Sequence, residues 1–274
     1  MPAPVSSRTV LLLIGALDIA CAAMCGSTRL EGAKLVISNL FGSESSARAF
    51  ARADLSHNEV QRRYASARKD LQYGEFDLAA FFTLLDLATP TPADRFVDLG
   101  SGCGRLVLAA ALRYDWEGGC TGIEILADMH ELAMTSHARL TEQAAELGVP
   151  LARCTLLHAS VDDALPTALL ADPPTSAVVF VYATCWPSSG PYLSELSTLL
   201  GDNLPAGSRV VTVDKRLVTA DDGIGAETLP SAAQPAEDGS SRAAFRLMHE
   251  VVVPNYNTGE STGYVYELVA PRGG

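Results

Sequence analysis

The sequence predicts an α/β fold of the Rossmann-like kind: a seven-stranded, mostly parallel sheet with helices on both faces, preceded by a helical N-terminal segment. Three observations carry this expectation. After Pro92, apolar runs of strand length alternate with amphipathic stretches of helix length, the spacing of strand-helix-strand units in which helices carry the chain between parallel strands. A glycine-rich turn, Gly100-Ser101-Gly102-Cys103-Gly104, stands where the first strand gives way to the next helix. Ala177 to Ala183 is an almost unbroken apolar run, the signature of a strand buried on both faces.

Val10 to Met24 is nearly uncharged, follows Arg8 and ends in Ala20-x-Ala22. It is short for a bilayer span, so no stable membrane span is expected. Its length and ending fit a signal or organelle-targeting segment over residues 1–26, whereas Asp18 and the single preceding positive charge fit an apolar helix of a cytoplasmic or nuclear protein. Residues 27–92 read as a helical N-terminal segment. There Ser56 to Glu59 has the form of a capping box, and Val60, Tyr64, Ala67 and Leu71 recur on one helical face. Phe76 to Leu87 is a second, very apolar helix, stopped by Thr89-Pro90-Thr91-Pro92.

Residues 93–274 form the sheet domain. Its expected strands are Arg95–Ser101, Cys120–Ile125, Cys154–Ala159, Ala177–Ala183, Ser208–Lys215, Phe245–Val253 and Tyr264–Val269. Helices are expected over Gly104–Tyr114, from Leu126 to Leu147 with Gly148 and Pro150 closing it, and over Pro191–Leu200. Residues 219–241 lack periodicity and are rich in Gly, Pro, Ser and acid, which reads as a mobile insertion or a lid.

The chain has 274 residues, with 32 Asp and Glu against 20 Lys and Arg, a net charge of −12. Residues 1–70 hold 9 basic against 6 acidic residues, a net of +3, while residues 71–274 hold 11 against 26, a net of −15. Nucleic-acid binding needs a basic surface. Contact with nucleic acid or a nucleosome is therefore confined to the N-terminal arm, through Arg48, Arg52, Arg62, Arg63, Arg68 and Lys69. The six cysteines form no Cys-x-x-Cys pair and no Cys/His cluster at zinc spacing, so no metal site is expected. Cys120 and Cys154 open neighbouring strands and read as reduced core residues. His130 and His137 read as surface histidines. The chain contains no Walker or His-Glu-x-x-His motif.

The glycine turn discriminates between two ligands. A dinucleotide fingerprint needs a third glycine, for close helix packing, where this chain has Arg105. Asp98, before the first glycine, would repel a pyrophosphate and suits a ligand with an amino and a sulfonium cation, S-adenosylmethionine. Glu124, twenty residues past Gly104 at the end of the second strand, is placed to take ribose hydroxyls. At the third strand's end, Val161 with Ser160 or Asp162 offers an apolar plane and a polar contact for adenine.

Further motifs narrow the family. Tyr73-Gly74-Glu75-Phe76-Asp77, the loop Asp98 to Arg105, Gly122-Ile123-Glu124, the strand Val178 to Trp186 and Asp214-Lys215-Arg216-Leu217 together resemble histone-lysine methyltransferases of the disruptor-of-telomeric-silencing type and their uncharacterised relatives, over roughly Gln72 to Leu217. The resemblance implies a class I methyltransferase fold in which Tyr73 and Glu75 fold over the methionine end of the donor. By the same resemblance Asp98, Gly100, Ser101, Gly102 and Gly104 cradle it, and Glu124 holds the ribose. It implies methyl transfer to a protein lysine, with Tyr182 and Trp186 beside the acceptor. Two positions depart from the relatives: Phe76 stands in place of Thr, and Tyr182 in place of Asn. The departures leave small-molecule methylation, or donor binding without transfer, as the alternatives.

Overall fold

The seven strand-length runs pair into one sheet. In chain order they are β1 (Arg95–Leu99), β2 (Cys120–Glu124), β3 (Cys154–His158), β4 (Ala177–Tyr182), β5 (Arg209–Val213), β6 (Ala244–Asn255) and β7 (Gly259–Val269), arranged β3-β2-β1-β4-β5-β7-β6. The first five are parallel. β7 runs antiparallel between β5 and β6, as the long hairpin of β6 and β7 requires. The sheet is thus mostly parallel and Rossmann-like. This computed structural model describes residues 26–41, 76–170, 176–219, 244–255 and 259–269. The targeting segment up to Cys25, the basic arm from Arg48 to Lys69, the Ser56 capping box, Tyr73, Glu75 and the insertion beyond Thr219 lie outside the described residues.

Side chains alternate across the strands, and both faces are apolar. On one face Phe96, Val178, Phe180, Val211 and Val265 pack under α1 (Gly26–Phe41), α2 (Leu78–Leu87) and α3 (Arg105–Arg113), with Leu140 of α4 (Ala127–Leu147). On the other, Val97, Leu99, Val179, Val181 and Val210 pack under α5 (Val161–Leu170) and α6 (Ser194–Asn203). Phe81 of α2 meets Phe180 edge-on, with ring centroids 5.0 Å apart. Asp77 caps α2 by accepting the Ala80 amide at 2.8 Å. α1 is tied to α3 through Arg29, which donates to the Leu112 carbonyl and pairs with Asp115.

Fully buried Asp94 clamps the lower ends of three strands. Its carboxylate accepts from the Thr91 amide and hydroxyl, from Ser176 just before β4, and from Arg209 at the start of β5. The upper ends, the carboxyl ends of the parallel strands, carry the chemistry described below.

Three elements differ from the sequence expectation. Ser160 to Asp163, placed by the sequence at the third strand's end, instead cap and open α5, which runs to Leu170 despite Pro166. α6 begins at Ser194 rather than Pro191, because Tyr192 pairs with Ser189 and Arg216 and the Leu193 amide donates to the Arg216 carbonyl. β7 starts five residues earlier than Tyr264, at Gly259, to match the length of β6. Cys120 and Cys154 stand opposite each other across β2 and β3, and both are free thiols. Among the described residues no helix is long and apolar enough to cross a membrane.

Candidate active site

The neighbours of β1 are β2 on one side and β4 on the other, so the connections leave β1 in opposite directions. Ligands of open α/β sheets bind in the crevice outside the carboxyl ends at such a switch point. Each residue that the glycine turn and the fourth strand single out within the described chain sits at or beside this crevice.

The turn after β1 owes its shape to alternating glycines. Gly100, Gly102 and Gly104 have φ of 75°, 54° and 76°, left-handed values that a Cβ disfavours. Gly104 forms the N-cap of α3, and a Cβ there would lie 3.0 Å from the Ala133 Cβ of α4. The Gly100 and Ser101 amides donate to the Ile123 carbonyl at 2.9 and 3.0 Å, seating the turn on the end of β2. Gly122, opposite Asp98 in register, admits the close approach, since a Cβ there would meet Ser101 Oγ at 2.8 Å. Cys103 is buried within the turn and is in no disulfide.

Glu124 organises the turn as well as facing it. One carboxylate oxygen accepts the Gly102 amide at 2.7 Å and the other the Leu126 amide at 2.8 Å. A carboxylate oxygen takes two hydrogen bonds, so an amide on each is compatible with ribose hydroxyls on the outer side. Asp98 is 3% exposed, and its carboxyl is pushed up to about 8 by burial and then by the negative Glu124. Both influences favour the proton. A cation supplied by a ligand is what would return Asp98 to its charged form.

These features test whether the site fits S-adenosylmethionine, and it fits. The turn presents backbone without side chains, the buried acid at its root awaits a positive group, and the acid at the end of β2 is held in place by two amides. Asp98, Gly100, Ser101, Gly102, Gly104 and Glu124 are the residues that would hold it.

Ser160 and Val161, read as adenine contacts, stand at the carboxyl end of β3 beside Glu124, whose carbonyl accepts the Ala159 amide. The Ser160 hydroxyl also has a local duty: it donates to the Asp163 carboxylate at 2.7 Å and accepts the Asp163 amide at 3.3 Å, capping α5. His158 Nε2 lies 3.1 Å from the Ile125 carbonyl, and the neighbour of His130 is His158, ring centroids 5.5 Å apart. His130 is held below the usual histidine range by burial and by His158.

Tyr182 ends β4, and a short 3₁₀ turn, Ala183–Cys185, carries the chain to Trp186. The Trp186 indole borders the glycine turn, its Nε1 3.9 Å from where a Gly100 Cβ would stand. Lys215 Nζ donates to the Trp186 carbonyl and holds the turn down. Phe76 and Tyr182 touch each other, their rings 5.2 Å apart. Phe76 is buried and Tyr182 partly exposed.

Arg105 occupies the position that excludes a dinucleotide fingerprint, and it has a duty of its own. Its Nη1 donates to the Phe76 carbonyl at 2.9 Å, fixing the chain next to Tyr73-Gly74-Glu75. Arg105→Ala is expected to lower stability by about 1–2 kcal/mol, the usual worth of a partly buried charged hydrogen bond. Arg105→Lys should recover only part of it, since an ammonium cannot reproduce the planar fork; urea unfolding of the three proteins measures both.

Asn255 and Ser261 escaped the sequence reading. Asn255 Nδ2 donates to the Tyr182 hydroxyl at 3.0 Å, although 73 residues separate them. Its Pro254-Asn255 setting reads as a plain strand end, and only the pairing of β6 with β7 carries it to the crevice.

No curated protein matches the chain. Solved structures of similar arrangement include yhhF from Escherichia coli, at 20% identity over 73% of this chain and 90% of that one, TM-score 0.45. Another is an RNA methyltransferase from Salinibacter ruber in complex with S-adenosyl-L-homocysteine, at 18% identity over 72% and 94%, TM-score 0.40. A third is TrmN from Thermus thermophilus, at 21% identity over 70% of this chain and 48% of that one, TM-score 0.41. The model of the family described as "Histone methylation protein DOT1" matches residues 50–227. That span holds the glycine turn, Glu124, Tyr182 and Trp186, and the chain belongs to this family of S-adenosylmethionine-dependent methyltransferases.

Proposed function

We propose that this methyltransferase acts on the side-chain amine of a lysine in a protein, of which a histone is the first candidate. The observation that carries the reading is the aromatic corner at the carboxyl end of β4, where Tyr182 packs on buried Phe76 and the Trp186 indole borders the glycine turn. S-adenosylmethionine, when bound, supplies a methyl group made electrophilic by its sulfonium.

An ε-ammonium has no lone pair with which to attack, and freeing one at pH 7.4 costs roughly 4 kcal/mol at about 1.36 per pH unit. Aromatic walls that exclude water destabilise the cation and reduce that cost. The residues of the corner therefore need only dehydrate and orient the amine; the chemistry requires no protein nucleophile. The net −15 over residues 71–274 disfavours a phosphate backbone as the acceptor and leaves a protein or a small molecule.

Incubating the protein with methyl-tritiated donor and core histones, nucleosomes or a small-molecule lysate fraction tests this. Label is expected in acid-stable methyl-lysine of a histone. Label confined to the small-molecule fraction would overturn the lysine reading.

A further inference from the structure

A file of hydrogen bonds crosses the carboxyl ends of β5, β6 and β4 and the amino end of antiparallel β7. Ser261 Oγ donates to Asp214 Oδ2 at 3.0 Å, Asn255 Nδ2 donates to Ser261 Oγ at 2.6 Å, and the same Nδ2 donates to the Tyr182 hydroxyl at 3.0 Å. Asn255 is 2% exposed and Ser261 4%.

Its direction is not arbitrary. A carboxylate only accepts, so the one hydroxyl proton of Ser261 goes to Asp214. Ser261 must then accept from Asn255, which places the NH2 rather than the carbonyl of the carboxamide at that corner and settles the amide orientation. The second N–H of that NH2 reaches Tyr182, whose oxygen is therefore an acceptor towards the protein. Its own proton is left for the crevice.

Asp214 is held for this purpose in an unusual backbone state, with φ of 66°. Its other carboxylate oxygen accepts the Thr262 amide at 3.1 Å.

We propose that Asn255, oriented by Asp214 through Ser261, is a positioning residue that fixes the place and polarity of the Tyr182 phenol at the methyl-acceptor subsite. The proposal rests on the reading of Tyr182 as the group that meets the acceptor. In place of the Asn that related enzymes carry at the end of this strand, the chain presents a phenol and steers it with an Asn from β6.

The experiment uses the full chain and two adenosine analogues in which nitrogen replaces sulfur and the transferred methyl is extended to a 2-aminoethyl or a 2-hydroxyethyl arm, so that each arm ends near the acceptor position. Affinities of both analogues and of S-adenosylhomocysteine are measured for the wild type, Tyr182→Phe, Asn255→Ala and the double variant. The wild type is expected to bind at least one armed analogue more tightly than S-adenosylhomocysteine. Each single variant should lose about fivefold of that preference, as one hydrogen bond is worth about 1 kcal/mol. The double variant should lose no more than Tyr182→Phe alone, while affinity for S-adenosylhomocysteine stays level.

Full additivity of the two losses, or an unaltered preference in Asn255→Ala, would overturn the proposal, as would a wild type that prefers neither arm. Preference for the hydroxyethyl arm alone, with the cycle still non-additive, would remove the lysine reading and leave the positioning role standing. Ser261→Ala guards against misfolding of Asn255→Ala: it removes a single hydroxyl, and with it the acceptor that orients the Asn255 NH2 and its link to Asp214. It should reproduce the Asn255→Ala loss in the same direction, and wild-type behaviour there would also overturn the proposal.

Discussion

Asp98→Asn is expected to make the ligand-free protein more stable at pH 8 and to weaken its hold on S-adenosylmethionine by roughly a hundredfold, taking about 3 kcal/mol for a buried charged contact that loses its partner. The two effects have one origin. Asp98 is buried at the root of the glycine turn with Glu124 as its negative neighbour, and its folded-state pKa stands at about 8 against 3.8 for the free residue. Between those values the folded protein binds a proton that the unfolded chain has released. The contribution of Asp98 to stability is therefore full below about pH 4 and falls as pH rises towards 8, with a limiting slope of about 1.4 kcal/mol per unit. The neutral amide of Asn removes the slope.

The donor's cations reverse the preference, because they draw Asp98 into its charged form. Affinity of the wild type should accordingly rise between pH 5.5 and 7.5, approaching tenfold per unit, and flatten above 8. Thermal unfolding of ligand-free wild type and Asp98→Asn from pH 5 to 8.5, with calorimetric titration of the donor over the same range, checks both halves. A wild-type stability that is flat with pH, or an affinity that falls as pH rises, would refute the assignment of Asp98 as the cation-binding acid.

What could be read in the sequence was whatever is local. The turn from Asp98 to Gly104 encodes its own geometry, because alternate residues without Cβ are what a chain of left-handed steps requires, and α4 ends at Gly148 in left-handed backbone as its C-terminal signal predicts. The strand ends that hold Glu124, Tyr182 and Trp186 followed from apolar runs bounded by turn residues. α5 was also legible in part: Val161, Ala164, Leu165, Ala168 and Leu169 share a helical face and Ser160 caps it, but Pro166 argues against a helix interior and obscured the pattern.

The acceptor side was hidden for a different reason. Asn255 meets Tyr182, and Phe76 meets the same ring, through sheet pairing and helix packing between segments that no sequence spacing connects. Arg105 was read only as a missing glycine; its bond to the Phe76 carbonyl belongs to tertiary structure.

Glu124→Ala should have the largest effect on donor binding, because the carboxylate does two things that fail together. Gly102 and Leu126 would lose the acceptor of their amides, and both sites are buried. Leaving two buried donors unsatisfied costs about 2–6 kcal/mol at 1–3 each, offset in part by relief of the repulsion on Asp98. The turn that Glu124 holds against β2 would loosen just where it must present backbone to the donor, and the ribose contacts would vanish as well. Two charge-assisted hydrogen bonds at about 1.5–3 kcal/mol each correspond to at least about a hundredfold in affinity.

Glu124→Gln separates the two roles. It keeps an acceptor for one amide but sets an NH2 group against the other, so some destabilisation remains while the negative charge on the ribose side is gone. If Glu124 takes the ribose, S-adenosylhomocysteine lacking its 2′-hydroxyl should bind the wild type weakly and lose little more in Glu124→Gln. Equal losses for the complete and the 2′-deoxy ligand on going to Glu124→Gln would confine Glu124 to bracing the turn. Removing Glu124 should also bring the Asp98 pKa down from about 8, since one of its two raising influences is gone. The pH at which donor affinity flattens would then move to lower values in both Glu124 variants. That displacement, read from calorimetry of the same proteins, ties the two acids to one site; an unchanged plateau would show that they act independently.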